Sequence, residues 1–302
     1  MKREYINKKN KFAVFDCILL AVLSLYTLFF LLLLIWGFFT ALKPSDFSIL
    51  DNIVGLPEGS IFEWKWDNFA TALQKMRAPY RLENGDAGYY ELDMLFLNTL
   101  MYAGGNAFLH TIVPCTVAYL CVKYPCGFSK LVHSLVLFTM MLPIVGSAPS
   151  MIQVLHSLNL YNTWWGNFAQ NFTFLGLYYL VLHGIIQGLN KELWEAAEMD
   201  GANQWAIYIG IILPILINTL SLVFMLNFIN FWNEYQVALL YLPGYPTLSV
   251  AIYLLSLDQQ PFFSWLPGRL ASFIMFIIPI LILFLIFKDK IMGNIAIGGV
   301  KE

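Results

Sequence analysis

Charged residues are scarce in this chain of 302 residues. Asp, Glu, Lys and Arg make up only 12% of it and hydrophobic residues 59%, whereas a soluble domain carries roughly 25% charged residues. This composition excludes an ordinary soluble domain. The 17 basic and 19 acidic residues give a net charge of -2 at pH 7. Because there is no basic excess to hold a polyanion, we expect no nucleic-acid partner.

Metal-site cysteines and common catalytic motifs are also lacking. The four cysteines lie in or beside apolar stretches without metal-like spacing, so we predict packing roles for them and no bound metal. The sequence contains no Gly-x4-Gly-Lys-Ser/Thr phosphate loop and no His-Glu-x-x-His motif. We therefore expect no catalytic residues, and any ATPase activity must belong to another polypeptide.

Long apolar runs are abundant. Since about 20 apolar residues cross a bilayer as a helix, the runs predict an all-α membrane protein with six transmembrane helices. The predicted spans lie at about 15–42, 94–121, 131–155, 172–189, 208–232 and 269–287. The first run is too long for the core of a signal peptide and is predicted to remain as a span. Residues that break a helix occur within the third span, namely Pro143, Gly146, Ser147 and Pro149.

The positions of Lys and Arg predict the orientation of the chain. If successive loops alternate in side, 11 basic residues share the side of the N-terminus and 6 lie opposite, 5 of them in one long loop at about 43–93. Long loops count little in the positive-inside rule, so both termini are predicted to be cytoplasmic. The loop at 43–93 is then extracytoplasmic. Its soluble-like composition fits either a small folded cap around residues 62–69 or a partly ordered connection.

The most informative segment lies between the fourth and fifth spans, at 190–214. Asn190 is a suitable helix N-cap and Gly201 suits the left-handed residue that ends a helix, so the segment predicts a short helix between them. Its side chains are predicted to fall on two faces, with Leu193, Ala196 and Ala197 on one and Lys191, Glu195 and Glu198 on the other. Small alanines let a partner approach closely. The alternative is a helix lying on the membrane surface, which favours Lys and Arg on its polar face, whereas this polar face is mainly acidic.

The spacing of this segment resembles the EAA loop of bacterial ABC importer permeases: Glu195-Ala-Ala, three residues, Gly201, nine residues, Ile211, one residue, Leu213-Pro214. Further matching positions are Asn98-Thr99, Ala118-Tyr119, residues 158–163, Trp232-Asn233, Thr247-Leu248 and residues 298–301. Together they resemble the carbohydrate-uptake group, of the maltose-G type. Two positions differ from the family pattern. This chain has Asn190 where proline is common, and its tail at 288–290 is more charged than the corresponding run in the family.

This resemblance implies that residues 1–302 form a single ABC permease domain, with the EAA coupling loop at 190–214. It implies a complex with a second, different permease subunit, two copies of an ABC ATPase and an extracytoplasmic solute-binding protein. The transported solute would be a carbohydrate, in particular an oligosaccharide, and the location the bacterial cytoplasmic membrane. ATP and Mg would bind to the partner ATPase, so no cofactor is expected on this chain. By the same resemblance, the coupling residues would be Glu195, Ala196, Ala197, Asp200 and Gly201.

Polar residues on the fifth span suggest a path for the solute. Asn227, Asn230 and Glu234 follow one another at i, i+3 and i+7 and lie within about 60° of one helix face. Gln153 follows the break in the third span and is a further candidate. Neutral donors and acceptors suit sugar hydroxyl groups. Hydrogen bonding between helices is an equally good explanation for each residue taken alone.

The outer segment at about 233–268 mixes aromatic residues with proline. The resemblance implies that this segment reaches into the binding protein, with Tyr245, Phe262, Phe263 and Trp265 as the contacts. Anchoring of these aromatic side chains at the membrane interface is the alternative.

Other functions remain open at this point. A permease for a peptide or a polyamine is disfavoured by the carbohydrate-type ending and by Trp232-Asn233. A secondary carrier is disfavoured because the spans hold almost no ionisable residues at depth. A membrane-embedded enzyme is disfavoured because no catalytic motif is present.

Overall fold

The structure, a computed structural model, describes residues 2–44, 52–82, 84–142, 146–257 and 261–295. Its helices are α1 (Lys2–Ala41), α2 (Asp67–Lys75), α3 (Leu92–Lys123), α4 (Gly127–Met141), α5 (Ala148–Ser157), α6 (Trp164–Gln170), α7 (Leu177–Gln187), α8 (Glu192–Met199), α9 (Gln204–Ile207), α10 (Leu213–Asn233), α11 (Gln236–Tyr241), α12 (Leu248–Leu257), α13 (Pro261–Ser264) and α14 (Leu266–Ile295). A π-helical turn, Tyr208–Ile212, joins α9 to α10. Strands β1 (Ala78–Arg81) and β2 (Ala87–Tyr90) form an antiparallel hairpin with Ala78 opposite Tyr90. The predicted all-α class is confirmed.

Four helical segments of the described chain are long and apolar enough to cross a membrane. They are Val14–Ala41, Leu92–Lys123, Gln204–Asn233 and Leu266–Ile286. They coincide with the first, second, fifth and sixth predicted spans. The total of six spans stays a prediction, because the remaining two apolar runs form shorter helices.

The predicted third span is divided between α4 and α5. Gly146 has a positive φ of 81°, outside the helical region, and Pro149 lies in the first turn of α5. Pro143 lies outside the described residues. The predicted fourth span is helical only over α7, whose 11 residues extend about 16 Å, compared with about 30 Å for the hydrocarbon core.

The chain divides into two compact units. The first comprises Met1–Lys75 and Leu255–Met275. Here the segment after α1 binds the end of that helix. The buried Asn68 amide donates to the carbonyl oxygens of Ala41 and Lys43, both at 2.8 Å. The backbone N–H of Lys65 donates to Leu42, so the last carbonyl groups of α1 have partners without water.

The described part of the 43–93 loop is folded. It contains α2 and the β1–β2 hairpin, and Tyr80 and Tyr90 stack across the hairpin with ring centroids 4.1 Å apart. Whether residues 62–69 form a small cap or part of a connection stays a prediction. That the loop lies outside the membrane also stays a prediction.

The second unit comprises Met76–Leu254 and Phe276–Glu302, and α3 packs there along α10 and α7. Its packing brings together residues that are far apart in sequence. The amide of Asn98 donates to the carbonyl of Pro246 at 3.1 Å, and the N–H of Leu248 donates to Thr99 Oγ1 at 2.8 Å. Asn162 accepts from the N–H of Gly244 at 2.6 Å. Several of the motif positions outside the 190–214 loop therefore hold α3, the 158–163 turn and the start of α12 together.

Candidate functional site

The α8 helix begins close to its predicted start. Asn190 Oδ1 accepts a hydrogen bond from the backbone N–H of Glu192 at 3.2 Å, and its amide donates to the Glu192 carboxylate at 3.1 Å. Lys191 already has helical backbone angles. The cap residue lies one position later than predicted, at Lys191, but the Asn190 side chain satisfies one of the backbone donors at the start of the helix, as an N-cap does.

Gly201 ends the helix in the predicted left-handed conformation, with φ of 80°. The N–H of Gly201 donates to the carbonyl of Glu198, and the N–H of Ala202 donates to that of Ala197, both at 3.0 Å. This pair of bonds is a Schellman motif, which needs a left-handed residue after the cap. Asp200 is the cap residue itself. Both ends of α8 are thus specified by short-range hydrogen bonds.

The two predicted faces of α8 stay predictions, and the structure shows which of its side chains point toward the core. The inward side chains are Trp194, which is only 5% exposed, and the half-buried Ala197. Both pack against a core cluster formed with α3, α7 and α10. Leu193 and Ala196 are exposed instead. The reason is side-chain size, because burying the indole removes more apolar surface from water than burying Leu193 would.

The outward face of α8 presents Glu195 and Ala196 beside Met199, whose side chain is 88% exposed. We call these three residues the outer face of α8. It combines a carboxylate, a small residue and a large apolar group. Such a surface suits contact with another protein more than it suits water.

A lysine at the end of α3 holds α8 in place, and sequence reasoning missed this role. Lys123 Nζ lies 2.8 Å from the Glu198 carboxylate, and its side chain is only 4% exposed. It also donates to Tyr119 Oη at 3.1 Å and to the side chain of Gln204. The hydrogen bond from Lys123, supported by one from Gln204, lowers the pKa of Glu198 below its usual value. A lysine directly after an apolar run resembles any residue at a membrane boundary, so the sequence carried no signal for the contact.

The second half of the 190–214 loop contains the π-helical turn. The N–H of Leu213 donates to the carbonyl of Tyr208, five residues back, and Pro214 follows in the first turn of α10. Proline has no N–H and its ring crowds the carbonyl four residues earlier, so the wider π turn accommodates Pro214. The Tyr208 hydroxyl lies 2.8 Å from Thr116 Oγ1, and its ring stacks on Tyr119. This half of the loop is therefore also bound to α3.

The three polar residues predicted for the fifth span have different environments. Asn227 is buried and its amide lies 3.4 Å from the carbonyl of His110 on α3. Asn230 is exposed. Glu234 is half-buried, and its carboxylate accepts from the N–H groups of Gln236 and Val237, which caps α11. The chain itself therefore already binds two of the three side chains, and their role in a solute path stays a prediction.

The other predicted contact residues also differ in exposure. Gln153 is exposed on α5, and Tyr245 is half-buried beside Trp164, with ring centroids 5.3 Å apart. Phe262 and Phe263 are buried, whereas Trp265 is exposed. Among the residues that the structure describes, no three His, Cys, Asp or Glu side chains lie together as metal ligands would.

Comparison with known proteins places this geometry in a family. The profile of the binding-protein-dependent transport system inner membrane component matches residues 122–291, which is more than half of the chain and includes all of the 190–214 loop.

Three curated relatives have similar sequences. The sulfoquinovosyl glycerol transport system permease protein SmoH of Agrobacterium fabrum is 26% identical over 215 residues, which cover 70% of this chain and 74% of SmoH. The diacetylchitobiose uptake system permease protein NgcG of Streptomyces coelicolor is 22% identical over 288 residues, covering 92% and 86% of the two chains. The maltose/maltodextrin transport system permease protein MalG of Vibrio vulnificus is 25% identical over 210 residues, covering 68% and 71%.

One solved structure has the same fold. It is a chain of a bacterial ABC transporter involved in the import of the acidic polysaccharide alginate, with a TM-score of 0.71 and 19% identity over 91% of this chain and 96% of that one. The family profile, the apolar helices and this fold agree. The chain belongs to the family of binding-protein-dependent transport system inner membrane components and is a multi-pass membrane protein.

Proposed function

We propose that this chain is the permease subunit of an ATP-driven ABC importer that moves a carbohydrate, in particular an oligosaccharide, into the cytoplasm. The observation that carries this proposal is the substrate named for its relatives, since SmoH, NgcG and MalG are all named for sugars or glycosides. Those alignments extend over two thirds of the chain or more. The scarcity of charge in the apolar helices agrees with a neutral solute.

The 190–214 loop would couple this chain to an ATPase subunit. The outer face of α8, formed by Glu195, Ala196 and Met199, is the surface that we propose docks on it, with Asp200 and Gly201 holding the end of the helix. The contacts of Lys123 and Trp194 support this role, because they fasten α8 to α3 and to the core. A movement of the docked helix would then be passed directly to the apolar helices behind it.

Other subunits of the complex would bind and hydrolyse ATP. We propose two ATPase subunits that bind ATP and Mg, a second and different permease, and an extracytoplasmic binding protein that delivers the solute. Both termini of this chain would be cytoplasmic. Among the proposed contacts with the binding protein, Trp265 and Tyr245 have accessible surface, whereas Phe262 and Phe263 are buried.

In the proposed solute path, the exposed polar side chains contact the sugar directly. Asn230 and Gln153 have surface available for sugar hydroxyl groups. Asn227 and Glu234 would contribute by holding α10 against α3 and α11, through the hydrogen bonds they make within the chain. Amide groups both donate and accept, which matches the hydroxyl groups of a sugar better than a fixed charge would.

Purification of the complex from its native membrane tests this proposal. We expect a second permease and an ATPase to purify with this chain, and ATP hydrolysis to rise when a sugar-loaded binding protein is added to the reconstituted complex. Uptake should then be measured for a panel of labelled oligosaccharides, peptides and polyamines. Uptake of an oligosaccharide alone supports the proposal. Uptake of a peptide or polyamine alone contradicts the substrate, and an active assembly without an ATPase contradicts the mechanism.

A further inference from the structure

A cavity lies at one end of α3, α4 and α7, on the same side as the start of α8. Its volume is about 420 Å³, and it is bounded by residues from the last turn of α3, the first turns of α4, the end of α7 and Lys191. Because α3 ends at Lys123 and α4 begins at Gly127, the cavity lies where an apolar span ends. This is the depth of the lipid headgroups.

The charged side chains among the described residues that line this cavity are both basic. Lys130 and Lys191 contribute two positive charges, and none of the described residues that line it is acidic. The nearest acidic residue in sequence, Glu192, accepts a hydrogen bond from the Asn190 amide at 3.1 Å. A cavity lined by charge of one sign concentrates ions of the opposite sign.

Two imidazole rings also line this cavity. The rings of His133 and His183 have centroids 4.7 Å apart, and both residues are only partly exposed. His133 Nδ1 is buried and has no hydrogen-bond partner within the described structure. A buried nitrogen without a partner costs free energy, which a ligand in the cavity would recover once the ring turned this nitrogen toward it. Ser134 and Gln187 add neutral groups to the lining.

We propose that this cavity binds an anionic phosphate group. Lysine ammonium groups bind phosphate as point charges, and imidazole and hydroxyl groups supply further hydrogen bonds to its oxygens. The group can belong to an anionic phospholipid or to a soluble phosphate ester, since the chemistry of recognition is shared. Basic pockets between membrane-spanning helices are known to hold lipid headgroups. A phosphate bound to Lys191 would restrain the residue that immediately precedes α8, whatever solute the complex transports.

The test uses the intact complex in nanodiscs that contain phosphatidylglycerol and phosphatidylcholine, with retained lipid counted by native mass spectrometry. The variant Lys130→Gln/Lys191→Gln removes both charges, and Lys288→Gln, an exposed lysine outside the cavity lining, is the matched control. Since one lysine near the surface contributes about a five-fold preference for anionic lipid, we expect the double variant to retain phosphatidylglycerol about 25-fold less well. The control should retain it as the unchanged chain does. His133→Gln, which keeps both charges, should weaken retention by a smaller factor.

A second arm distinguishes the source of the phosphate. The complex in detergent without phospholipid is titrated with inorganic phosphate and with a sugar phosphate, and binding is followed by calorimetry. If the complex binds inorganic phosphate or the sugar phosphate, and Lys130→Gln/Lys191→Gln abolishes that binding, the ligand is soluble. If the complex retains phosphatidylglycerol but binds neither soluble phosphate, the ligand is a lipid headgroup. Equal retention of both lipids by the unchanged chain and the double variant, together with no phosphate binding, overturns the proposal. Equal melting temperatures for all variants ensure that a loss of binding is not a loss of fold.

Discussion

Gly201 shows how a single residue can set the geometry of the candidate coupling helix. Its φ of 80° lies in the region that favours glycine, and a Cβ added there would meet no atom within 4 Å. A side chain at this position would therefore be opposed by backbone strain alone. The two hydrogen bonds of the Schellman motif depend on that backbone conformation.

We expect substitutions of Gly201 to impair transport least for Asn, more for Ala and most for Val. The left-handed conformation costs most residues about 1 to 2 kcal/mol, and asparagine tolerates it best. Membrane insertion should be unaffected, because the residue lies outside the apolar spans. Solute uptake and the amount of membrane-inserted chain measure the two effects separately.

Gly184→Ala is the matched control for this series. Gly184 lies within α7, and a Cβ there would also have open space, but its φ is not positive. Normal uptake is expected for the control. Normal uptake for Gly201→Val, or loss of uptake only with loss of insertion, would contradict the proposed role of the helix end.

Gly104 and Gly105 are adjacent on α3, but only one of them faces another helix of the second unit. A Cβ on Gly105 would lie 2.4 Å from the Phe168 ring of α6, whereas a Cβ on Gly104 would meet nothing within 4 Å. The adjacent glycines look alike in the sequence. Only Gly105 lies where α3 and α6 approach closely.

We therefore predict opposite results for the two alanine variants. Gly105→Ala should lower stability by about 1 to 3 kcal/mol, because the added methyl group forces the Phe168 ring to move. Gly104→Ala should be neutral or slightly stabilising, because alanine favours the helix. Thermal unfolding of the purified complex measures both. Adding Phe168→Leu to Gly105→Ala should restore part of the loss, and equal melting temperatures for the two single variants would refute this packing.

The attachment of α8 to α3 predicts a local effect on dynamics. In Lys123→Met the Glu198 carboxylate loses its closest partner, so we expect faster hydrogen exchange of the amides in α8 with little change in α4. Glu198→Ala should be the more disruptive change, because it leaves the buried ammonium of Lys123 without its anion. Exchange measured by mass spectrometry on the intact complex tests this. Unchanged exchange of α8 in both variants would show that the pair does not hold the helix.

The pH dependence of this attachment follows from the lowered pKa of Glu198. A carboxyl group whose pKa is lowered in the folded protein contributes stability above its unfolded pKa of about 4.3. That contribution is lost as the pH falls through the lowered value. After correction for intrinsic rates, protection of α8 should be constant at neutral pH and should fall only below about pH 4. In Glu198→Gln this acid step should be absent.

At the scale of the whole molecule, the distribution of charge predicts which loops face which side. In a background without the free cysteines, Ala87→Cys in the β1–β2 hairpin should react with a membrane-impermeant maleimide added to spheroplasts. Tyr124→Cys, between α3 and α4, should react only after the membrane is permeabilised. Both positions are exposed, so a difference in labelling reports their side of the membrane. The reverse pattern would refute the prediction that both termini are cytoplasmic.

Much of the fold follows from local sequence patterns. The four long apolar helices, the break near Gly146 and both ends of α8 were predictable, because run length, helix capping and left-handed glycine depend on neighbouring residues only. The shorter helices α5 and α7 were less so. The apolar runs that contain them extend beyond the helices themselves: α7 lies between Gly176 and Gly188, and α5 ends before Asn159, whose φ is positive.

Contacts between distant residues required the folded chain. Lys123 meets Glu198, which lies 75 positions later in the sequence, and Thr99 meets Leu248 across a longer separation. No periodicity along the chain encodes such a pair, since the packing of α3 against its neighbours determines which side chains come within reach. The same packing turned Trp194 inward and left the outer face of α8 free. Apolar run length and capping residues thus determined where helices form, because both act between neighbouring residues, whereas burial of Trp194 in the folded chain determined which face α8 presents.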